Sequence, residues 1–437
     1  MSPSREGMPR PHATRGNNRT VIVSEVLDDG VLVETLYDSQ ARSTRLAVAR
    51  GGAISVEDEV RTPDGRRLVP LPATNNLLVH SAVLLPSEVG EPSTKVELLA
   101  SITAFLHRYV DVDPLFEQLA AHYVLLSWLY DRFSDLPYLR VLGEPGSGKT
   151  RFLLAIGSLC YKPIFASGAS TVAPIFRMLD LVRGTLLVDE ADFRLSDERA
   201  EVVKILNCGI SRGFPVLRTD PNPTTKEFDP KAFHVFGPKI VGSRQTFEDR
   251  ALETRFITES LGSRTLRPDV PIALPSEFAS EARAIRNRLL RFRLDNWHQV
   301  RAAEAVGLAV EPRLRQMFGP LMTLVDDPTV HTEIADLAST YHSQFQTDRG
   351  LAVEGSLLEA LRELWDPKQP PSLQDLARVL TKKGTLHGPD PISPRWVGTA
   401  LRQRLGIRTE RHRDGYRVAG GQERQVSGLF VRFGTLS

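Results

Sequence analysis

Gly143-Glu144-Pro145-Gly146-Ser147-Gly148-Lys149-Thr150 is the stretch on which the reading of this 437-residue chain turns. It has the form G-x-x-x-x-G-K-[ST], and its flanks supply the context that form needs. Leu139-Arg140-Val141-Leu142 ahead of it reads as a buried strand. Phe152, Leu153, Ile156, Leu159 and Cys160 behind it recur like one face of a helix. Glycines here let backbone N–H groups turn inward around a polyphosphate, and the helix N-terminus adds partial positive charge. In such a loop Lys149 reaches the β- and γ-phosphates, Thr150 offers its hydroxyl to Mg²⁺, and Arg151 is the next residue along. A glycine-rich strand-to-helix turn with a stray lysine is the plain alternative, and the flanking strand and helix argue against it.

A second apolar run, Thr185-Leu186-Leu187-Val188, ends in Asp189-Glu190-Ala191-Asp192. Acids at a strand end mean little alone, since strands often close in polar turns. Coupled to the glycine-rich loop they form the Walker B pattern, in which Asp189 holds the Mg²⁺ shell and Glu190 orients the attacking water. Binding and hydrolysis of a nucleoside triphosphate is the chemistry expected.

Composition sets the frame around these motifs. The length allows two to four domains, and a formal net charge of +2 announces no global field for nucleic acid. Cys160 and Cys208 lie on apolar helical faces without metal-ligand spacing, as buried thiols of a reducing compartment do. The N-terminus has no apolar leader core, and no apolar run is long enough to span a membrane, so a cytoplasmic location and no membrane partner are expected.

The rest of the chain is ordered around the two motifs. Residues 1–19 read as a disordered basic arm. Residues 20–72 alternate with period two between turns such as Asp28-Asp29-Gly30 and read as a small antiparallel β module. Residues 73–135 read as a helical lead-in that packs on the sheet of the nucleotide core, residues 136–260. Within that core, further strands are expected at 163–166, 239–242 and 256–258. A hairpin around Arg218 and Lys226 is inserted before the fourth strand, and it is either a DNA contact or an edge that packs.

This order resembles that of the AAA+ ATPases: a phosphate-loop strand, a Walker B strand, a strand ending in the small polar Ser243, then arginines before a last strand. More narrowly, it is similar to the ATPase domains of primase-associated and superfamily-3-like helicases of phages, plasmids and integrated elements. The likeness covers roughly residues 136–330 and weakens toward 420. It implies an α/β AAA+ P-loop core followed by a helical lid at 261–335, with ATP and Mg²⁺ as cofactors. It also implies a homo-oligomer with active sites between subunits, a hexameric ring being one form. Ser243 takes the sensor-1 position, where Asn or Thr is more common. Arg255, with Arg250 as the second choice, takes the arginine-finger position that completes a neighbour's site; exposed ion pairing is the alternative for both. Arg313 takes the sensor-2 position, with Arg315 beside it.

Residues 336–420 read as three helices and a two-stranded wing, which looks like a winged helix, and 421–437 as a tail. Arg395, Arg402, Arg404, Arg411 and Arg413 give this module a local basic face suited to DNA phosphates, the third helix entering a major groove. A protein-contact surface is the alternative. The reading as a whole is an ATP- and Mg²⁺-dependent ATPase acting on single-stranded or forked DNA, a helicase or replication protein of a mobile element. An ATP-gated DNA switch or loader, and a protein-remodelling ATPase, are the alternatives.

Overall fold

The computed structural model describes residues 19–167, 170–189, 196–221, 228–262, 265–301, 308–350, 353–383 and 392–433. Residues 1–18 of the expected arm at 1–19, and the residues Glu190 and Lys226, lie outside them; Arg19, the last of that arm, begins a strand. The chain divides into two compact units: Met1–Leu308 with Arg315–Ile334, and Ala309–Leu314 with Ala335–Ser437.

The first unit is organised on a five-stranded parallel sheet. In chain order its strands are Tyr138–Leu142, Ile164–Ala166, Leu186–Val188, Lys239–Ser243 and Phe256–Ser260. In space they run fifth, first, fourth, third, second. A parallel sheet covered on both faces needs apolar runs, not alternation, and Leu186–Val188 and Ile240–Val241 are almost fully buried. Crossover connections bring the carboxyl ends of the first, third and fourth strands together, where ligands of open parallel sheets bind.

Helix Pro114–Trp128 covers this sheet. It opens on Asp113, which caps it through Leu115 N, and on Pro114, whose missing N–H costs nothing in a first turn. Its Tyr123 hydroxyl donates to Lys239 O at 3.0 Å and accepts from Lys239 N, which fixes the helix on the fourth strand. Helix Lys95–Tyr109 begins with a complete capping box between Thr94 and Glu97. The long helix of the expected lid, Phe278–Asn296, is built into this same unit. Arg293 on it is fully buried and reaches the two carboxylates Glu34 and Asp131, at 2.7 Å each. Glu34 also accepts from the Tyr161 hydroxyl at 2.6 Å, so the β module, the sheet domain and the helix share one buried polar network.

The β module departs from a purely antiparallel plan. Strands Ser24–Val26, Leu32–Asp38, Ser43–Arg50 and Ala53–Glu57 form the antiparallel meander expected. Strand Arg19–Ile22, however, pairs in parallel with Arg67–Pro70, so the two ends of the module close side by side. Ile22, Val33, Leu46, Val48, Val60 and Leu68 then make one small core.

In the second unit, helices Val353–Leu364, Leu373–Lys383 and Pro394–Arg404 precede the hairpin Thr409–His412 and Gly415–Val418. Ser393 caps the third helix through Trp396 N, and Gly406 ends it at φ +66°. The segment read as a tail folds: Glu423–Arg432 is a helix whose Val426 and Phe430 enter the core of the unit. Its apolar residues recur at three and four, a period that a short basic terminus had masked.

Candidate functional site

The glycine-rich loop leaves the first strand and enters helix Lys149–Gly157. Gly146 and Gly148 sit at φ +82° and +97°, a left-handed backbone that L side chains rarely adopt, while open space faces both. Gly143 is glycine for a different reason: a Cβ there would lie 2.4 Å from Ser147 Oγ and 2.9 Å from Leu261 O. The first-turn N–H groups of such a helix lack intrahelical acceptors and are the donors an anion takes at a helix N-terminus.

The ends of the third and fourth strands bring Asp189 and Ser243 to this loop and to the helix that follows it. Thr150 Oγ1 donates to Asp189 Oδ2 at 2.6 Å, which places the two expected Mg²⁺ oxygens together across 39 residues of sequence. The Lys149 ammonium, largely buried, donates to Glu144 O at 2.9 Å and to Gly143 O, so it lies inside the loop. At Gly242 a Cβ would meet Asp189 Oδ1 at 3.2 Å and Lys149 Cβ at 3.5 Å, so the fourth strand passes directly behind the lysine. Ser243 follows, 1% exposed, and its Oγ has no hydrogen-bond partner among the described residues; Ser147 Oγ has none either. A buried hydroxyl left unpaired costs roughly 1–3 kcal/mol, so two at one site mark a place where a ligand's oxygens belong.

This donor set fits a nucleoside triphosphate with Mg²⁺. Magnesium takes one or two carboxylates, a hydroxyl and phosphate oxygens, not a cage of protein ligands. Among the described residues no group of three or more His, Cys, Asp or Glu stands ready as such a cage. Glu190, the expected water-orienting carboxylate, follows Asp189 but lies outside the described residues.

Sequence reasoning missed the cavity beside the loop, about 390 Å³, lined by Val110, Val112, Gly146, Phe152, Leu261 and Val270 among others. Its walls come from two connecting segments without a periodic signal, and only the fold brings them to the loop. Arg151 itself lines this cavity and braces one wall, donating to Pro271 O at 2.9 Å and to Ile272 O.

The two candidate fingers occupy unlike settings. Arg255 is half-buried; its Nη1 donates to Asn207 O at 2.7 Å, while its buried Nε has no hydrogen-bond partner among the described residues. Arg250 is exposed at the start of helix Arg250–Glu253, and its side chain has no partner among the described residues. The turn that carries it is held twice. Asp249 caps it and accepts from Asn207 Nδ2 at 2.8 Å. Glu253 forms a two-pronged pair with Arg140, which is buried in the first strand just before the loop. A lone arginine inside an apolar strand was the sequence signal for that pair, because buried charges need partners.

The other expected contacts divide in the same way. Arg218 packs over the Phe176 ring at 5.3 Å and pairs with Glu201, so it is part of the hairpin's base. Phe214 and Leu217 on that hairpin are exposed instead. Arg313 and Arg315 lie on helix Pro312–Met322, the first half-buried and the second exposed. In the second unit Arg404 pairs with Glu354 at 3.1 Å, and Arg402 donates to Thr409 Oγ1 at 2.5 Å. Arg395, Arg411 and Arg413 are exposed with no side-chain partner among the described residues.

No family profile and no curated protein matches this chain. Among solved structures it is similar to "SCCmec type IV Cch - active helicase", at 12% identity over 94% of this chain and 80% of that one, TM-score 0.41. It is also similar to the NrS-1 C-terminal region, at 12% identity over 89% and 97%, TM-score 0.36. A third likeness, to the JCV helicase, has 14% identity over 56% and 60%, TM-score 0.27. Among the described residues, no helix is long and apolar enough to cross a membrane.

Proposed function

We propose that this protein is an ATP- and Mg²⁺-dependent ATPase of the AAA+ kind that acts on single-stranded or forked DNA as a helicase or replication protein. The observation that carries the reading is the meeting of Lys149, the Thr150–Asp189 pair and the unpartnered Ser243 hydroxyl at the carboxyl ends of three adjacent strands. Lys149 and the loop N–H groups hold the phosphates, and Thr150 and Asp189 hold Mg²⁺, which neutralises charge developing on the phosphoryl oxygens. Ser243 donates to the terminal phosphate, and Glu190 orients the water. The apolar cavity beside the loop takes the base.

Arg250 is the residue offered to a neighbouring subunit, since its exposed side chain has no partner among the described residues, whereas Arg255 is half-buried and held through Nη1 by Asn207 O. The active form is therefore a homo-oligomer with sites between subunits. The C-terminal unit is a winged helix whose arginines hold DNA. The decisive experiment is steady-state ATP hydrolysis with and without single-stranded, forked and duplex DNA, beside a Glu190→Gln control. Stimulation by single-stranded or forked DNA that vanishes in the control supports the reading. Hydrolysis indifferent to every DNA in an assembled oligomer overturns the DNA part of it and favours a remodelling ATPase.

A further inference from the structure

The C-terminal unit holds a second cavity, of about 690 Å³, formed where its second and third helices meet the hairpin. Gln374 comes from the start of the second helix, Arg395 and Arg402 from the third, and Thr409 and Tyr416 from the hairpin. Close helix approach shapes the floor: a Cβ on Gly398 would meet Leu373 Cδ1 at 2.7 Å and Arg402 Nη1 at 3.3 Å. The bond from Arg402 to Thr409 ties the third helix to the hairpin and fixes that guanidinium in the wall. Arg395 lies two turns earlier on the same helix face, roughly 10 Å away along the axis. Asp414 is the one carboxylate in the lining, and it leans on Arg417 at 3.9 Å.

Tyr416 is the unusual member. It is 54% exposed, whereas Val418, two residues on in the same strand, is fully buried in the core of the unit. A large aromatic left open beside two guanidinium groups offers a flat apolar face next to positive charge, the combination that holds unpaired bases. We propose that this cavity receives an unpaired base of single-stranded DNA, stacked on Tyr416, with flanking phosphates held by Arg395 and Arg402. A duplex suits it poorly. A major groove accepts a protruding helix, whereas here the third helix is one wall of a concavity within the size range of small-ligand pockets, roughly 300–1,000 Å³. The inference rests on the reading that this protein acts on DNA, and it replaces the expectation that the third helix enters a major groove.

The test uses the full chain without nucleotide, so that it is independent of hydrolysis. Fluorescence anisotropy with a labelled oligothymidylate and with a blunt duplex of equal length compares wild type, Tyr416→Ala and Tyr416→Phe. Losing one stacked base weakens single-strand binding about tenfold in Tyr416→Ala, with the duplex unchanged and the phenylalanine variant near wild type. Replacing one thymidine with 5-iododeoxyuridine and irradiating places the crosslink on Tyr416. Equal losses on single strand and duplex, or unchanged affinity with crosslinks mapping elsewhere, overturn the proposal. A protein that hydrolyses ATP but binds neither DNA also overturns it, while leaving the ATPase reading intact.

Discussion

The nucleotide site and the basic face of the C-terminal unit both present groups suited to phosphate, and they are built in opposite ways. At the candidate nucleotide site the groups are backbone N–H donors, a buried lysine, the Thr150 hydroxyl held by Asp189 and the buried Ser243 hydroxyl at a strand end. On the C-terminal unit they are exposed arginine side chains, three of them free among the described residues. A preorganised, water-poor site gains most from each hydrogen bond and loses most when one is removed. An exposed cation acts mainly by releasing counterions, so its loss is modest, additive and salt-dependent. Large losses confined to the nucleotide site and graded losses on the basic face are thus the expected signature.

The sharpest way to break that comparison is at the fingers. Arg250→Ala should lower kcat by about three to five powers of ten, with stability unchanged, whereas Arg255→Ala should act mainly by loosening the Asn207 contact. Mixing Arg250→Ala with Lys149→Ala subunits should restore part of the activity, because one supplies an intact loop and the other an intact finger. No recovery in co-assembled oligomers would place Arg250 outside the neighbour's site.

Next in size is Arg140→Met. It leaves Glu253 without its charged partner, and about 2–3 kcal/mol of stability should be lost in denaturant titration, less than for a fully buried pair because Glu253 keeps some hydration and the bond from Phe247 N. If instead only hydrolysis falls, the pair serves to present Arg250 and not to hold the fold.

On the basic face, Arg411→Ala and Arg413→Ala should each reduce the slope of log K against log salt by about 1 for DNA, leaving melting temperature unchanged. A loss of several powers of ten from either one would mean that this face is as preorganised as the nucleotide site.

A pH dependence of stability stands apart from these site effects. Burial pulls the Lys239 amine down to about 7, and burial pulls Lys162 to about 7 against the opposing pull of Glu34. Between about 7 and the ordinary 10.5 the unfolded chain binds more protons than the folded one. Stability therefore rises with pH through that window, and below about 7 the contribution is flat. Thermal melts from pH 7 to 9.5 should show the rise, reduced in Lys239→Met.

Much of this molecule was legible in its residues because the signals were local. The loop, the five strands and the capped helices each declare themselves through spacing, turn residues and apolar period within a dozen positions. The parallel pairing of Arg19–Ile22 with Arg67–Pro70 and the role of Phe278–Asn296 did not, since each depends on partners tens to hundreds of residues away. The choice between Arg250 and Arg255 was equally hidden. Their sequence setting is nearly the same, and it is Asn207, brought in from another helix, that holds Arg255, while Arg250 has no partner among the described residues.

By itself, then, the sequence determined the motifs: a glycine-rich loop, an acidic strand end and an arginine-rich C-terminal segment follow from residue type and spacing. Tertiary structure alone decided which of those groups stand together and which are spent on their own chain. It set the Thr150–Asp189 pair, the apolar cavity beside the loop and the cavity under Tyr416. The physical reason is that backbone preference acts over a few residues, whereas burial and the pairing of buried charge are settled by whatever the folded chain packs against them.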